Sequence, residues 1–197
     1  YKNGQITKKA TYKNGKLNGL WTEWDENGQK ASEINYKNGK KEGLWTSWDE
    51  NGQKIFEGNY KNDKQDGLST WWYENGKKKA EGTFKDGKED GHYTKWHKNG
   101  NKQLEENYKN GKEEGLATEW HSNGQKQGEG TYKEGKPNGL VTLWNENGQK
   151  VLEENYKNNK LLGYIEYRYY KNGKKRGEIN FKEGKQDGLS TFWLKNG

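Results

Sequence analysis

The stretch Tyr36-Lys37-Asn38-Gly39-Lys40-Lys41-Glu42-Gly43-Leu44-Trp45-Thr46-Ser47-Trp48-Asp49-Glu50-Asn51-Gly52-Gln53-Lys54-Ile55-Phe56-Glu57-Gly58-Asn59 decides the fold of this chain. Two Asn-Gly pairs, Asn38-Gly39 and Asn51-Gly52, punctuate it, and the runs between them are rich in Trp, Tyr and Thr. Asn-Gly flanked by such runs is the strongest short-range signal for a β-hairpin. The chain holds a single proline, Pro137, and no stretch with helical period. The unit therefore reads as two antiparallel strands.

The same unit recurs outward in both directions. Trp24, Trp48, Trp72, Trp96, Trp120 and Trp144 fall 24 residues apart. Tyr12, Tyr36, Tyr60, Phe84, Tyr108, Tyr132 and Tyr156 keep the same step, offset by 12. A fixed period of this length marks a repeat architecture, here of about eight hairpins and about sixteen strands. The expected fold is all-β: an elongated, single-layer antiparallel sheet of tandem 24-residue hairpins, one array over residues 1–197. The chain opens at Tyr1-Lys2-Asn3-Gly4 and closes at Lys195-Asn196-Gly197, both inside a unit, so a longer parent protein is expected. A removed signal peptide is compatible with this, with a secreted or cell-surface setting as the expectation.

Composition sharpens the problem. Apolar residues are 26% and charged residues 33% of the chain, against an ordinary apolar share of about 45–50%. Such a chain folds only if each repeat stacks its few large side chains on its neighbours. The net charge is +7, with lysines spread through every repeat. There is no cysteine, so disulfides and thiolate metal sites are excluded.

Face assignment depends on turn length. A two-residue turn after Tyr36 would put Tyr36 and Leu44 on opposite faces. A three-residue turn with a left-handed glycine would put Tyr36, Leu44, Thr46 and Trp48 on one face, and that amphipathic arrangement is the expectation. It would set each Tyr opposite a lysine (Lys16, Lys40, Lys64, Lys88, Lys112, Lys136, Lys160; Lys185 after Phe181) and each Trp opposite another (Lys30, Lys54, Lys78, Lys102, Lys126, Lys150). Lys175 would follow Tyr169 in the same way. The lysine stems would cover the rings, with a cation–π contribution of ~0.5–1 kcal/mol per exposed pair. Asp63 and Asn159 stand where other repeats carry the turn glycine, and both residue types tolerate positive φ. The second face would carry Glu33, Glu57, Glu81, Glu105, Glu129, Glu153 and Glu178, each opposite a glycine.

Positions that vary along that second face are where a partner would be read. Its apolar patches supply the candidate binding residues Trp21, Trp45, Ile55, Trp71, Leu143 and Phe192. Phe181 follows Tyr156 by 25 residues, so the segment Gly163–Tyr170 holds one extra residue, expected to form a bulge.

The unit Tyr-Lys-Asn-Gly-Lys-x-x-Gly-Leu-x-x-x-Trp-x-x-Asn-Gly-x-Lys resembles the MORN-repeat variant of bacterial proteins, over essentially the whole chain. The widened turn, as at Tyr12 to Gly19 and Tyr108 to Gly115, and the 24-residue step match that variant rather than the eukaryotic form. The resemblance implies an elongated single-layer sheet and protein–protein or lipid-associated roles. Many bacterial members also carry an antitoxin-like label.

No residue set points to catalysis or a cofactor, so the chain reads as a non-enzyme. The glutamate row would place same-row carboxylates about 9.6 Å apart, within the separation of some glycosidase pairs. An identical row runs the whole length and marks no unique site. His92, His97 and His121 are the only histidines. Cell-wall-binding repeats share short aromatic hairpins, but their Gly-Trp opening and Trp-Tyr-Tyr core are absent. Interleaved Glu42, Asp66, Asp90, Glu114 and Asp187 cancel much of the field that a nucleic acid would need. The leading expectation is a non-enzymatic binding or assembly scaffold that engages a protein partner or another copy. The alternatives are association with anionic membrane lipid or cell-surface glycan, and end-to-end sheet extension.

Overall fold

The computed structural model describes residues 4–196, and the expected opening at Tyr1-Lys2-Asn3 and the closing Gly197 lie outside them. Among the described residues there is no helix, and eighteen strands occur. The chain divides into two compact units, residues 1–100 and 101–197.

The first unit holds β1 (Lys8–Lys13), β2 (Lys16–Trp24), β3 (Lys30–Lys37), β4 (Lys40–Trp48), β5 (Lys54–Lys61), β6 (Lys64–Trp72), β7 (Lys78–Lys85) and β8 (Lys88–Trp96). Each strand pairs antiparallel with the next. The second unit holds β9 (Lys102–Lys109), β10 (Lys112–Glu113), β11 (Gly115–Trp120), β12 (Lys126–Lys133), β13 (Lys136–Trp144), β14 (Lys150–Lys157), β15 (Lys160–Tyr169), β16 (Lys175–Lys182), β17 (Lys185–Gln186) and β18 (Thr191–Phe192). Its strands also run as an antiparallel meander. The count exceeds the expected sixteen because two strand positions are interrupted: β9 pairs with both β10 and β11, and β16 with both β17 and β18.

Two kinds of turn alternate, and they differ in parity. After each Tyr the turn has two residues. Lys37 pairs with Lys40, and between them Asn38 and Gly39 both have positive φ, 53° and 84°. Positive φ at both central positions defines the I′ turn, whose twist suits a tight hairpin. After each Trp the turn is longer. Asp49 N donates to Gln53 O (2.9 Å), Gly52 N donates to Asp49 O (3.0 Å), and within this loop only Gly52 has positive φ. The Asp49 carboxylate accepts from the backbone N–H of Asn51 and Gln53, both at 2.9 Å. This is a three-residue loop closed by a left-handed glycine.

One even and one odd turn per unit divide the rings between the two sides. The expected single aromatic face is therefore overturned. Ile34 pairs with Trp45, Tyr36 with Lys41, Ser47 with Phe56 and Gly43 with Tyr60. Those residues share one face, the Tyr face. Thr46 pairs with Glu33 and Glu57, and Trp48 with Lys54, on the opposite Trp face. Trp–Lys pairing holds as expected at Trp24, Trp48, Trp72, Trp120, Trp144 and Tyr169. Tyr–Lys pairing through Lys16, Lys40 and their equivalents does not, because those lysines close the two-residue turns opposite another lysine. The Glu row lies with the tryptophans, opposite threonine, and the bulge glycines lie opposite Tyr.

The Trp face replaces a hydrophobic core with a layered polar one. Thr22, Thr46, Thr70 and Thr94 in the first unit, and Thr118 and Thr142 in the second, are buried. Over them lie ion pairs: Lys30–Glu33 at 2.6 Å, Lys54–Glu57 at 2.5 Å and Lys78–Glu81 at 2.5 Å. The same pairs recur at Lys102–Glu105 (2.7 Å), Lys126–Glu129, Lys150–Glu153 (2.6 Å) and Lys175–Glu178 (3.1 Å). In the first unit each of these lysines pairs with one Trp and lies over the next: Lys30 Nζ is 5.9 Å from the Trp48 ring centre and Lys54 Nζ 5.5 Å from that of Trp72. Half-exposed ion pairs contribute about 0–1 kcal/mol each, so repetition matters more than any single pair.

The extra residue falls in β15. In the regular repeat the Tyr strand advances two residues, Ile34 to Tyr36, while its partner advances four, Trp45 to Lys41. In β14–β15, Glu154 and Tyr156 face Tyr164 and Leu161, a three-residue advance. Gly163 loses the positive φ of its equivalents, and Tyr164 moves opposite Phe181, stacking at 4.6 Å and 7°. The expected bulge is present but is smaller than the one the other repeats carry.

Candidate functional site

The Tyr face is where the repeats differ most. In the first unit it is aromatic. Trp21 lies 6.0 Å from Tyr36 between ring centres. Trp45 contacts Phe56 (5.3 Å) and Tyr60 (5.4 Å), Phe56 contacts Trp71 (5.4 Å), and Trp71 contacts Phe84 (5.9 Å). The candidate residues Trp45 and Trp71 are thus joined through Phe56 into one chain of rings. Trp45 Nε1 donates to Ser32 Oγ (2.9 Å), and Lys41 Nζ sits 4.0 Å over its ring. The rings fit because the positions beneath them are small. A Cβ at Gly58 would lie 2.5 Å from Ser69 Oγ and 2.7 Å from Phe56 Cζ. Trp21, Trp45 and Trp71 remain half-buried, so each keeps a solvent-facing surface.

Ile55 stands apart. It follows the Trp-side loop at the bulge beside Trp48, on the face opposite Phe56, and shares an open cleft with Trp72, Tyr73 and Lys79. Leu143 lies on the Tyr face of the second unit, opposite Gly128 and Leu152. Phe192 lies on that face too, opposite Gly177, and is 62% exposed.

In the second unit this face carries carboxylates among its apolar residues. Glu106 and Glu154 take the place held by Ile34 and Gly58 in the first unit. Glu106 is buried, and Tyr108 Oη donates to its carboxylate at 2.7 Å. Tyr156 Oη donates to Glu154 at 3.1 Å. Burial holds the Tyr132 hydroxyl above its ordinary pKa, and the charges of Glu113, Glu119, Glu106 and Glu154 add to that. Sequence reading placed polar residues, Glu119 among them, on the varying face but missed Glu106 and Glu154. Their signal was the position two before each Tyr, where glutamate replaces glycine or isoleucine.

Among the described residues no three potential metal ligands cluster. His92 replaces the leucine of other repeats and its ring lies 3.0 Å from Thr94 Oγ1. His121 reaches the Trp144 carbonyl oxygen at 3.0 Å, a bond between neighbouring loops.

The MORN repeat variant model matches eight successive stretches: 1–14, 17–38, 41–62, 65–86, 89–110, 113–134, 137–158 and 165–183. The chain belongs to the MORN repeat variant family. Each internal match runs from just after one two-residue turn into the next, so the MORN unit is one strand, a Trp-side loop and the returning strand. The match lapses over 159–164, where β15 takes up its extra residue. No curated protein matches the chain. MORN repeats generally serve binding and scaffolding, through protein or membrane-lipid contacts.

Proposed function

We propose that this MORN array is a non-enzymatic binding scaffold whose Tyr face engages a protein partner. A single ring-bearing face cannot support this reading, because the rings divide between two faces. Its support is the contrast between the faces. The Trp face repeats one pattern of Thr, Glu, Lys and Trp. The Tyr face differs between the units, gaining Glu106 and Glu154 in the second, and half-buried Trp is the residue type most enriched at interface anchors. Trp21, Trp45 and Trp71 are the anchors in the first unit, with Leu143 and Phe192 on the same face of the second.

Trp71→Lys tests the reading, because Lys95 already occupies the equivalent position one repeat on. The substitution should leave the β-sheet circular dichroism intact and lower retention of co-purifying protein at least tenfold. Unchanged retention, with the fold intact, would remove Trp71 from the anchor set. A chain that is monomeric by light scattering and retains no partner from its own cells would remove the scaffold reading altogether.

A further inference from the structure

A lysine pair closes each of the eight two-residue turns from Asn14-Gly15 to Glu183-Gly184. The cross-strand partners are Lys13 and Lys16, Lys37 and Lys40, Lys61 and Lys64, and Lys85 and Lys88 in the first unit. In the second they are Lys109 and Lys112, Lys133 and Lys136, Lys157 and Lys160, and Lys182 and Lys185. Like charges set directly opposite, with Cα atoms about 5.5 Å apart, oppose pairing. All of these lysines are exposed, and none of them forms an ion pair among the described residues. The contrast lies within the same repeat: on the Trp face each lysine has its own glutamate three residues on.

Acidic groups share the turn edge, and Asp66, Asp86 and Asp90 line its cleft with the lysines, but three carboxylates there each hold a backbone N–H. Glu42 accepts from Asn62 N (3.1 Å), Asp66 from Asp86 N (3.4 Å), and Asp63 from Lys41 N (2.8 Å). The turns themselves are tied in series. Gly39 N donates to Leu17 O (2.7 Å), Asp63 N to Lys41 O (3.1 Å) and Gly87 N to Gln65 O (2.9 Å). So within the first unit the lysine pairs form one row, two strand spacings or about 10 Å from pair to pair. Lys40, Lys61, Lys64 and Lys85 line one open cleft of about 830 Å³, and a second cleft, which shares Lys40, continues it to Lys37 and Lys16.

We infer that this edge of the first unit binds a linear, densely charged polyanion: a chain of phosphate groups laid along the lysine row. The row is one-dimensional, which suits a chain better than a flat membrane. Phe84 is the one ring that lines these two clefts, and it is only 9% exposed, so the edge recognises charge and not a base or a sugar ring. The inference stands apart from the protein-partner reading, which concerns the Tyr face.

The test is titration of the full chain with long-chain inorganic polyphosphate at low salt, followed by calorimetry. Lys40→Gln/Lys61→Gln/Lys64→Gln/Lys85→Gln should weaken binding at least tenfold. Its salt dependence should become shallower by about 0.7 for each phosphate-binding lysine removed, the single-strand value. Its melting temperature should be unchanged or raised, because like charges are removed. Lys30→Gln/Lys54→Gln/Lys78→Gln/Lys126→Gln makes the same change in net charge on the Trp face and should weaken binding less than threefold. Equal weakening in the two variants, or no binding by the native chain, overturns the proposal. So does tighter binding of anionic vesicles or duplex DNA than of polyphosphate.

Discussion

At the scale of single residues, the turn positions decide the structure. Gly111 has φ 79° in the two-residue turn that joins β9 to β10. Its equivalents Asp63 and Asn159 keep positive φ of 71° and 66° with a side chain in place. Gly111→Asn should therefore be nearly neutral, and Gly111→Val should cost about 1–2 kcal/mol, because a β-branched side chain clashes in left-handed backbone. Gln103→Ala, at an exposed position, should leave stability unchanged. Thermal melting of the three variants checks the order, and equal shifts for Val and Asn would contradict the turn type. Asp63 and Asn159 were also the clue to parity. Each follows an asparagine, so the sequence offers two residues tolerant of positive φ in a row. Only a turn with both central residues left-handed needs that. Glu134 and Glu183 hide the pattern by taking the first turn position at φ 52° and 50° against their propensity.

At the scale of strands and hairpins, period and turn chemistry were legible and face was not. Tyr, Trp and Asn-Gly recur at positions that any alternation of strands would satisfy, so the hairpins and the Trp–Lys pairs could be read directly. Which side each ring takes depends on adding one residue or none to a turn. That choice, made for amphipathicity, failed because this sheet does not have one apolar side. Its Trp face buries threonine beneath ion pairs, and threonine carried no signal of burial. Tyr167 shows how tightly the irregular β15 is held. Its hydroxyl donates to Glu153, and Lys150 and Lys175 lie 5.8 and 5.0 Å from its ring centre. Burial, then that hydrogen bond, holds its pKa well above the ordinary value. Burial likewise raises Tyr60, Tyr132 and Tyr156. Raised phenol pKa values give stability that is fully present below about pH 10, the unfolded value, and lost as pH rises toward the folded ones. Urea midpoints should therefore be flat with respect to these groups up to about pH 10 and fall above it. Tyr167→Phe keeps the ring for both lysines and removes the hydrogen bond. It should cost about 1 kcal/mol near neutrality and make the alkaline fall shallower. A variant with the native alkaline profile would show that Tyr167 does not contribute to it.

At the scale of the whole molecule, stability is a sum over repeats and the surfaces between them. The loop-to-loop bonds make the sum concrete: Gln53 Nε2 to Tyr73 O at 3.3 Å, Asn75 Nδ2 to Lys98 O at 3.0 Å, and Asn123 Nδ2 to Glu146 O at 2.8 Å each join loops one repeat apart. Each of these three bonds spans a step of 20 to 23 residues. Excising residues 41–64 should therefore leave a folded array. Lys40 would run into Gln65, which holds the position of Lys41, and every later strand would keep its direction and face. Unfolding should stay cooperative, with the urea m-value lower by about an eighth, in proportion to the surface removed. Excising only residues 41–52 joins Lys40 to Gln53 and reverses each later strand. It sets a Trp-side strand where a Tyr-side turn requires its partner, exposing the rings of Phe56 and Trp71 on the wrong face. That variant should lose cooperative unfolding and bind hydrophobic dyes. If both excisions unfold alike, the 24-residue hairpin is not the cooperative unit, and the description of the sheet as a sum of equivalent MORN hairpins fails with it.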